Sequence, residues 1–405
     1  MGLVVQKFGG TSLATLEGRE RVADIVCRTV AQGYDVVVVV SAIGRYPDAY
    51  STDGLLKLVE GYAEWQDLRE KDLLMSCGEV ISAVVMAHLL RSKGCKAAAL
   101  TGGQAGVTTT RDHGDAHIIR VDTDRIRRHL MRQEIVVVAG FQGVTEDGEV
   151  TTLGRGGSDT TAAALGVALK ADRIEVYTDV NGIMTADPRL VKSATTVSCL
   201  SYREVCEMAE MGARVIHPRA VEIAMEGGLP IVIRSTFSDD EGTQVGAVPG
   251  TPGVVEIGSD RVVTSIAHIA NLAQVRVVAE GDKPLPAREL FRSLANVGVS
   301  VDLINLSPHD ASFTIRSAEA EKASAALRDL GLNFVVEDGF AKVSAVGAGM
   351  RGVPGVMAAI VEALTDAGIR IYQTADSHTS ISCLVRMEDM EAAAVALHDR
   401  FRLSK

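Results

Sequence analysis

The sequence predicts an α/β protein: a mainly parallel sheet covered by helices on both faces, followed by two smaller ferredoxin-like units. Three observations carry this expectation. Short apolar, β-branched runs alternate with helical patterns as far as Arg234, the rhythm of strand–helix–strand units. Ser235 to Ser259 then turns rich in Gly, Pro, Asp and Thr, with Pro249-Gly250-Thr251-Pro252-Gly253 at its middle, and reads as a linker. Beyond it Leu290, Leu294, Gly298, Val299, Val301, Ser307 and Arg316 recur 70 positions later as Ile360, Leu364, Gly368, Ile369, Ile371, Ser377 and Arg386. Each copy reads strand, helix, Gly, strand, polar turn, strand, and two copies can form a paired sheet. The division is therefore residues 1–245, a linker at 246–262, and units at 263–338 and 339–405.

In chain order the strand runs are Leu3–Gln6, Val36–Val40, Ala97–Leu100, Ile135–Ala139, Arg173–Tyr177 and Pro230–Arg234. Helical patterns lie at Glu17–Gln32, Leu55–Glu70, Asp72–Lys93, Asp122–Gln133, Thr160–Lys170 and Tyr202–Met211. A length of 405 residues exceeds one ordinary core. A net charge of −11 without a long basic run argues against nucleic acid or an anionic membrane as a general partner. No unbroken apolar run reaches the length of a membrane span, so a spanning helix is not expected. The six cysteines are scattered, without zinc spacing, and are expected to stay reduced, as in a cytoplasmic protein.

In parallel sheets the site lies at the carboxyl ends of the strands, and here five such ends run into small polar loops. They are Lys7-Phe8-Gly9-Gly10-Thr11-Ser12, Ser41-Ala42, Thr101-Gly102-Gly103-Gln104, Gly140-Phe141-Gln142-Gly143 and Thr178-Asp179-Val180-Asn181-Gly182. The densest glycine loop, Leu153 to Thr161, enters an alanine-rich helix that Ser158, Asp159 or Thr160 is placed to cap. Free amides at a helix N-terminus, with Arg155 and Asp159 beside them, suit an anion; a glycine turn with a capping Asp reads equally well. Lys7 before two glycines suits a phosphate, although neither a P-loop nor a dinucleotide fingerprint is present. Glu79, in Ser76-Cys77-Gly78-Glu79, either faces the site from a helix or complements a helix N-terminus. Cys77 has no histidine near it in sequence and is expected to be a small buried residue.

Together these motifs resemble the aspartate kinases of the amino-acid kinase family. The match runs through the Lys7–Ser12, Val39–Ala42, Ser76–Glu79, Thr101–Gly106 and Gly140–Gly143 stretches. It continues through Leu153–Thr161, Tyr177–Val180, Met184-Thr185-Ala186-Asp187-Pro188-Arg189 and Gly212–Ala220. The repeat resembles the two ACT domains that regulate such enzymes. The resemblance implies the three-layer amino-acid kinase fold and ATP-dependent phosphorylation of the β-carboxylate of L-aspartate to 4-phospho-L-aspartate. That reaction opens the pathway to lysine, diaminopimelate, methionine and threonine. It implies Lys7 and Asp159 as catalytic residues, with Arg155 on the α-carboxylate and Glu79 on the α-ammonium of aspartate. Ser41, Thr52 and Ser158 are implied as further substrate contacts. ATP, carrying Mg2+, is expected against Lys7, Gly9, Gly10, Thr178, Asp179, Asp187, Arg189 and Arg214, with no metal ligand assigned to the protein.

Arg214 stands where many relatives have Lys, and the chain reads Val301-Asp302-Leu303-Ile304-Asn305-Leu306-Ser307 where the family often has Gln-Asn. The tail, through Ala341–Gly349, Gly352–Gly355 and Gln373–Thr379, resembles a subclass of Gram-positive spore formers, which implies response to diaminopimelate. The effector is then expected near Met350, Val353, Val356, Asp376, Ser377, His378 and Thr379, between subunits of a homo-oligomer. The competing readings are a glutamate-type or nucleotide kinase, and a non-catalytic amino-acid sensor.

Overall fold

The structure, a computed structural model, describes residues 2–62, 67–213, 215–246, 262–281, 283–350 and 353–404. It divides into two compact units: Met1–Ile183 with Thr196–Ala209 and Arg214–Glu256, and Met184–Thr195 with Glu210–Ala213 and Ile257–Lys405.

The first unit opens with β1 (Leu3–Phe8), α1 (Gly10–Leu13), α2 (Leu16–Ala31), β2 (Asp35–Val40), α3 (Thr52–Lys57) and α4 (Leu68–Ser92). Next come β3 (Ala97–Leu100), β4 (Val107–Thr109), β5 (Ile118–Val121), α5 (Asp124–Leu130), β6 (Ile135–Ala139), β7 (Gln142–Val144) and β8 (Val150–Thr152). It closes with α6 (Gly157–Leu169), β9 (Arg173–Thr178), β10 (Cys199–Leu200), α7 (Tyr202–Glu210), α8 (Pro218–Glu226), β11 (Ile231–Ser235) and β12 (Thr243–Val245).

Every apolar run read as a strand joins one sheet, in the order β10-β12-β11-β9-β1-β2-β6-β3. Its centre is parallel, and only β12 runs antiparallel to its neighbour β11. Val36 to Val40 are buried on both faces of β2, as the unbroken valine run requires. Phe8, Val38, Val137, Met86 and Leu90 fill the layer between this sheet and the helices. A second sheet, ordered β5-β4-β7-β8, escaped the sequence reading. Its strands Val107–Thr109 and Val150–Thr152 are three residues long and threonine-rich, too short and polar to register as apolar runs.

Two expectations are corrected on the helices. The pattern Leu55–Glu70 is not one helix: α3 ends at Lys57 and α4 begins after Asp67, whose carboxylate caps it by accepting from Arg69 N–H at 3.0 Å. Among the described residues one helix, α4, is long and apolar enough by composition to cross a membrane. It is instead a core helix, burying Asp72, Ser76, Glu79, Ala83, Met86 and Leu90 along one face. Cys77 turns away from that face and is exposed rather than buried.

The second unit contains β13 (Ser265–Val278), α9 (Ala287–Asn296), β14 (Asp302–Leu306), β15 (Asp310–Arg316), α10 (Ala320–Asp329) and β16 (Asn333–Val346). It ends with α11 (Val356–Asp366), β17 (Gln373–Asp376), β18 (Ser380–Arg386) and α12 (Met390–Arg400). The repeat is real: the two copies form one six-stranded sheet, β14-β15-β13-β16-β18-β17. The two long central strands serve both copies. The first half of β13 pairs with the end of β16, while its second half pairs with both β15 and the start of β16. The end of β16 in turn pairs with β18. Asn271, in the left-handed region at φ 58°, marks the bulge where β13 passes from one copy to the other.

Candidate active site

β1 brings Lys7 to the carboxyl end of the parallel sheet, and the first turn of α6 brings Asp159 to meet it. Lys7 Nζ and an Asp159 carboxylate oxygen are 2.7 Å apart, with side chains 12% and 11% exposed. At such burial each charge is tolerated because the other compensates it.

The loop into α6 turns twice through left-handed glycines, Gly154 at φ 69° and Gly156 at φ 70°. Gly156 is the N-cap, and a side chain there would collide with His217. The expected cap by Ser158, Asp159 or Thr160 is therefore corrected. All three lie inside the helix, and no side chain caps its N-terminus. That leaves the first-turn amides and the positive end of the helix dipole for an anion.

A cavity of about 580 Å³ is lined by Lys7, Gly10, Ser41, Thr52, Glu79, Arg155, Ser158 and Asp159. It unites both residues expected to be catalytic and every residue expected to bind the acceptor. A larger cavity of about 1010 Å³ shares Asp53, Met75 and Gly114 with it but includes none of those residues, so size does not mark the site.

Glu79 lies in the middle of α4, which removes the reading of an acid at a helix N-terminus. It is 2% exposed, and Oε1 accepts from Ala42 N–H at 3.0 Å while Oε2 has no partner among the described residues. Burial pushes its carboxyl up to about 8. Arg155 is exposed, with no hydrogen bond or ion pair among the described residues. The cavity thus presents a buried acid with a free oxygen and an unpaired guanidinium, beside a neutralised Lys–Asp pair.

Of the residues expected on ATP, Gly9, Gly10, Thr178 and Asp179 gather where β1 and β9 end side by side. Gly9 N–H donates to Tyr177 O at 3.3 Å, and Thr178 Oγ1 donates to Asp179 at 3.1 Å. Asp187 and Arg189 fall in the second unit, where Arg189 Nη2 donates to Asp187 at 2.7 Å and holds its carboxyl below the usual range. Arg214 lies outside the described residues. At the expected effector site, Met350 and Val356 are packed into a core cluster, whereas Val353, Asp376, Ser377 and His378 are exposed. Gly347 N–H donates to Thr379 O at 2.9 Å, which sets the end of β16 beside the β17–β18 turn.

Sequence reasoning assigned no role to Phe141, which lines the cavity in the left-handed region at φ 68°. Thr161 Oγ1 accepts from its N–H at 3.1 Å and its carbonyl accepts from Leu153 N–H at 2.9 Å. The one available signal was its place between Gly140 and Gln142 at a strand end.

Residues 2–235 match the model of the amino acid kinase family, and residues 335–399 match an ACT domain model. Aspartokinase 1 of Bacillus subtilis is 48% identical over the whole of both chains. The aspartokinase of Corynebacterium glutamicum is 42% identical over all of this chain and 97% of its own. Among solved structures, Escherichia coli aspartokinase III in complex with aspartate and ADP is similar with a TM-score of 0.78 at 26% identity, covering 98% of this chain and 99% of that one. The chain belongs to the aspartokinases, within the amino-acid kinase family.

Proposed function

We propose that the chain transfers the γ-phosphoryl group of ATP to the β-carboxylate of L-aspartate, giving 4-phospho-L-aspartate and ADP. The observation that carries this is the pairing, in one cavity, of a buried carboxyl group and a guanidinium that, among the described residues, have a free oxygen and no counter-ion respectively. An α-amino acid brings the matching ammonium and carboxylate. Held by Glu79 and Arg155, aspartate keeps its side-chain carboxylate free. That group is already ionised at neutral pH and needs no general base. A carboxylate oxygen forms the new bond to the γ-phosphorus as the bond to the bridging oxygen breaks and ADP leaves.

Lys7 places positive charge on the transferring oxygens, and Asp159 fixes the ammonium at 2.7 Å so that it need not reorganise as charge develops. Ser41, Thr52 and Ser158 provide hydroxyls along the same wall. Gly9, Gly10, Thr178 and Asp179 form the nucleotide side, with Asp187, Arg189 and Arg214 assigned to it by resemblance. Magnesium bound to ATP neutralises the phosphate oxygens.

A coupled ADP-release assay comparing aspartate with glutamate tests the acceptor. Aspartate is expected to turn over faster, and preference for glutamate sinks the reading. A nucleoside acceptor has no ammonium for Glu79. A sensor without catalysis has no use for the Lys7–Asp159 pair.

The second unit is assigned to feedback control by meso-diaminopimelate, bound near Met350–Val356 and Asp376–Thr379 between subunits of a homo-oligomer. Escherichia coli aspartokinase III has also been solved with lysine and aspartate, so a relative with this architecture takes an amino acid beyond its substrate. A dose series of diaminopimelate, lysine and threonine decides the effector; inhibition by the last two alone removes the assignment. The six free thiols suit a reducing compartment, and we place the protein in the cytoplasm.

A further inference from the structure

Asp72 lies on α4 seven residues before Glu79, on the same face, with no exposed surface. A carboxylate survives there only if hydrogen bonds replace its hydration. It accepts four. Thr152 donates from Oγ1 at 2.5 Å and from its N–H at 3.1 Å, Gly114 from its N–H at 3.1 Å, and His113 from Nδ1 at 2.9 Å.

These donors come from two segments that are themselves joined, Ala116 N–H donating to Thr152 O at 2.9 Å. Thr152 ends β8, three residues before Arg155. Gly154 closes on the same segment so tightly that a Cβ would lie 2.7 Å from Asp115 Oδ1. On the far side Arg219, in α8, donates to Leu153 O at 3.1 Å and to Asp115 Oδ1 at 3.3 Å. The backbone that presents Arg155 is thus gripped from two helices, and one of them carries Glu79.

We propose that Asp72 is a positioning residue for the acceptor half of the site. It ties the end of β8 and the 113–115 turn to α4, which sets the spacing between Arg155 and Glu79. Those two groups must hold the carboxylate and the ammonium of one α-carbon, so an error in their separation is felt in acceptor binding before anything else. Asp72 lines only the neighbouring cavity, and none of its hydrogen bonds reaches β1 or β9 on the nucleotide side. Its influence is therefore selective between the two substrates. The inference rests on the assignment of Arg155 and Glu79 to the acceptor.

Steady-state kinetics on the full-length protein test it with three variants. Thr152→Val deletes the 2.5 Å hydroxyl bond while keeping the side chain's shape, Thr152→Ser keeps the bond, and Asp72→Asn keeps the shape but replaces one acceptor by a donor. Losing a buried hydrogen bond to a charged group predicts a KM for aspartate raised about tenfold or more in Thr152→Val and Asp72→Asn. KM for ATP and kcat stay within about twofold, since the nucleotide side is untouched, and Thr152→Ser stays close to the parent. The proposal is overturned if both KM values rise together, if Thr152→Ser behaves like Thr152→Val, or if a folded Thr152→Val shows no change. Should Asp72→Asn fail to fold, the Thr152 pair still decides. A parent enzyme that does not turn over aspartate rejects the acceptor assignment instead, and an active parent with unchanged variants rejects the role of Asp72 alone.

Discussion

The two halves of the cavity hold the same kinds of group, a base and a carboxyl, and treat them in opposite ways. On the β1 side a lysine meets a carboxylate at 2.7 Å, while on the α4 side, among the described residues, one oxygen of Glu79 has no partner and Arg155 makes no ion pair. A compensated pair holds its geometry whether or not a ligand is present. An uncompensated buried acid is costly unless something arrives to complete it. The contrast separates a preset electrostatic environment for phosphoryl transfer from a receptor for a zwitterion.

The largest effects belong to the compensated half. Lys7→Ala or Asp159→Ala is expected to lower kcat by at least about 100-fold with folding intact, the scale for loss of a transition-state contact. Either removal also leaves its partner charge uncompensated, so urea unfolding should accompany the kinetics. Near-normal kcat in both variants would erase the distinction between the halves.

On the uncompensated side, Arg155→Ala should act mainly on binding, raising KM for aspartate by about 10- to 100-fold with a smaller change for ATP. Glu79 adds a pH signature because burial pushes its carboxyl from 4.5 up to about 8. Below about 8 the free enzyme holds it protonated, and pairing with an ammonium requires that proton to leave. Aspartate binding should therefore release protons near pH 7, and affinity should rise with pH towards 8; Glu79→Gln should do neither. Calorimetry in buffers of different ionisation enthalpy reads the proton directly. The stability sign follows from the same shift. The protonated acid's contribution is whole below pH 4.5 and is lost as pH rises to about 8. Glu79→Gln should accordingly gain on the parent across that window, by a few kcal/mol at its upper end.

What was legible in the sequence follows the same division between strong and weak local signals. Valine runs such as Val36–Val40 declare buried strands, and glycines at strand ends declare where the backbone must turn, so Lys7, Arg155 and Asp159 could be placed together in advance. The two copies of the repeat keep their spacing so closely that α9 and α11, or β15 and β18, superpose in sequence at 70 residues. The sharing of β13 and β16 between copies is hidden, because pairing partners are chosen in three dimensions and the repeat assigns each copy strands of its own. The threonine strands β4 and β8 were hidden because their burial rests on hydroxyl partners such as Thr109 with Thr151 at 2.5 Å. Asp72 was hidden for a related reason. An acid inside a helical pattern reads as an outward-facing residue until its four donors, all distant in sequence, are seen around it.

The smallest expected effect sharpens the comparison from outside the cavity. Cys77 lies two residues from Glu79 in sequence, yet a helix sends such neighbours to different faces. Its thiol is exposed and donates to Leu73 O at 3.4 Å, back along its own helix, whereas Glu79 is buried against Ala42. Cys77→Ser should therefore leave kcat and both KM values within about twofold, and alkylation of the exposed thiol should spare activity in the same way. A large loss in Cys77→Ser would mean that this face of α4 communicates with the cavity. The helix could then no longer be treated as a rigid mount whose buried side alone, through Asp72 and Glu79, sets the acceptor half.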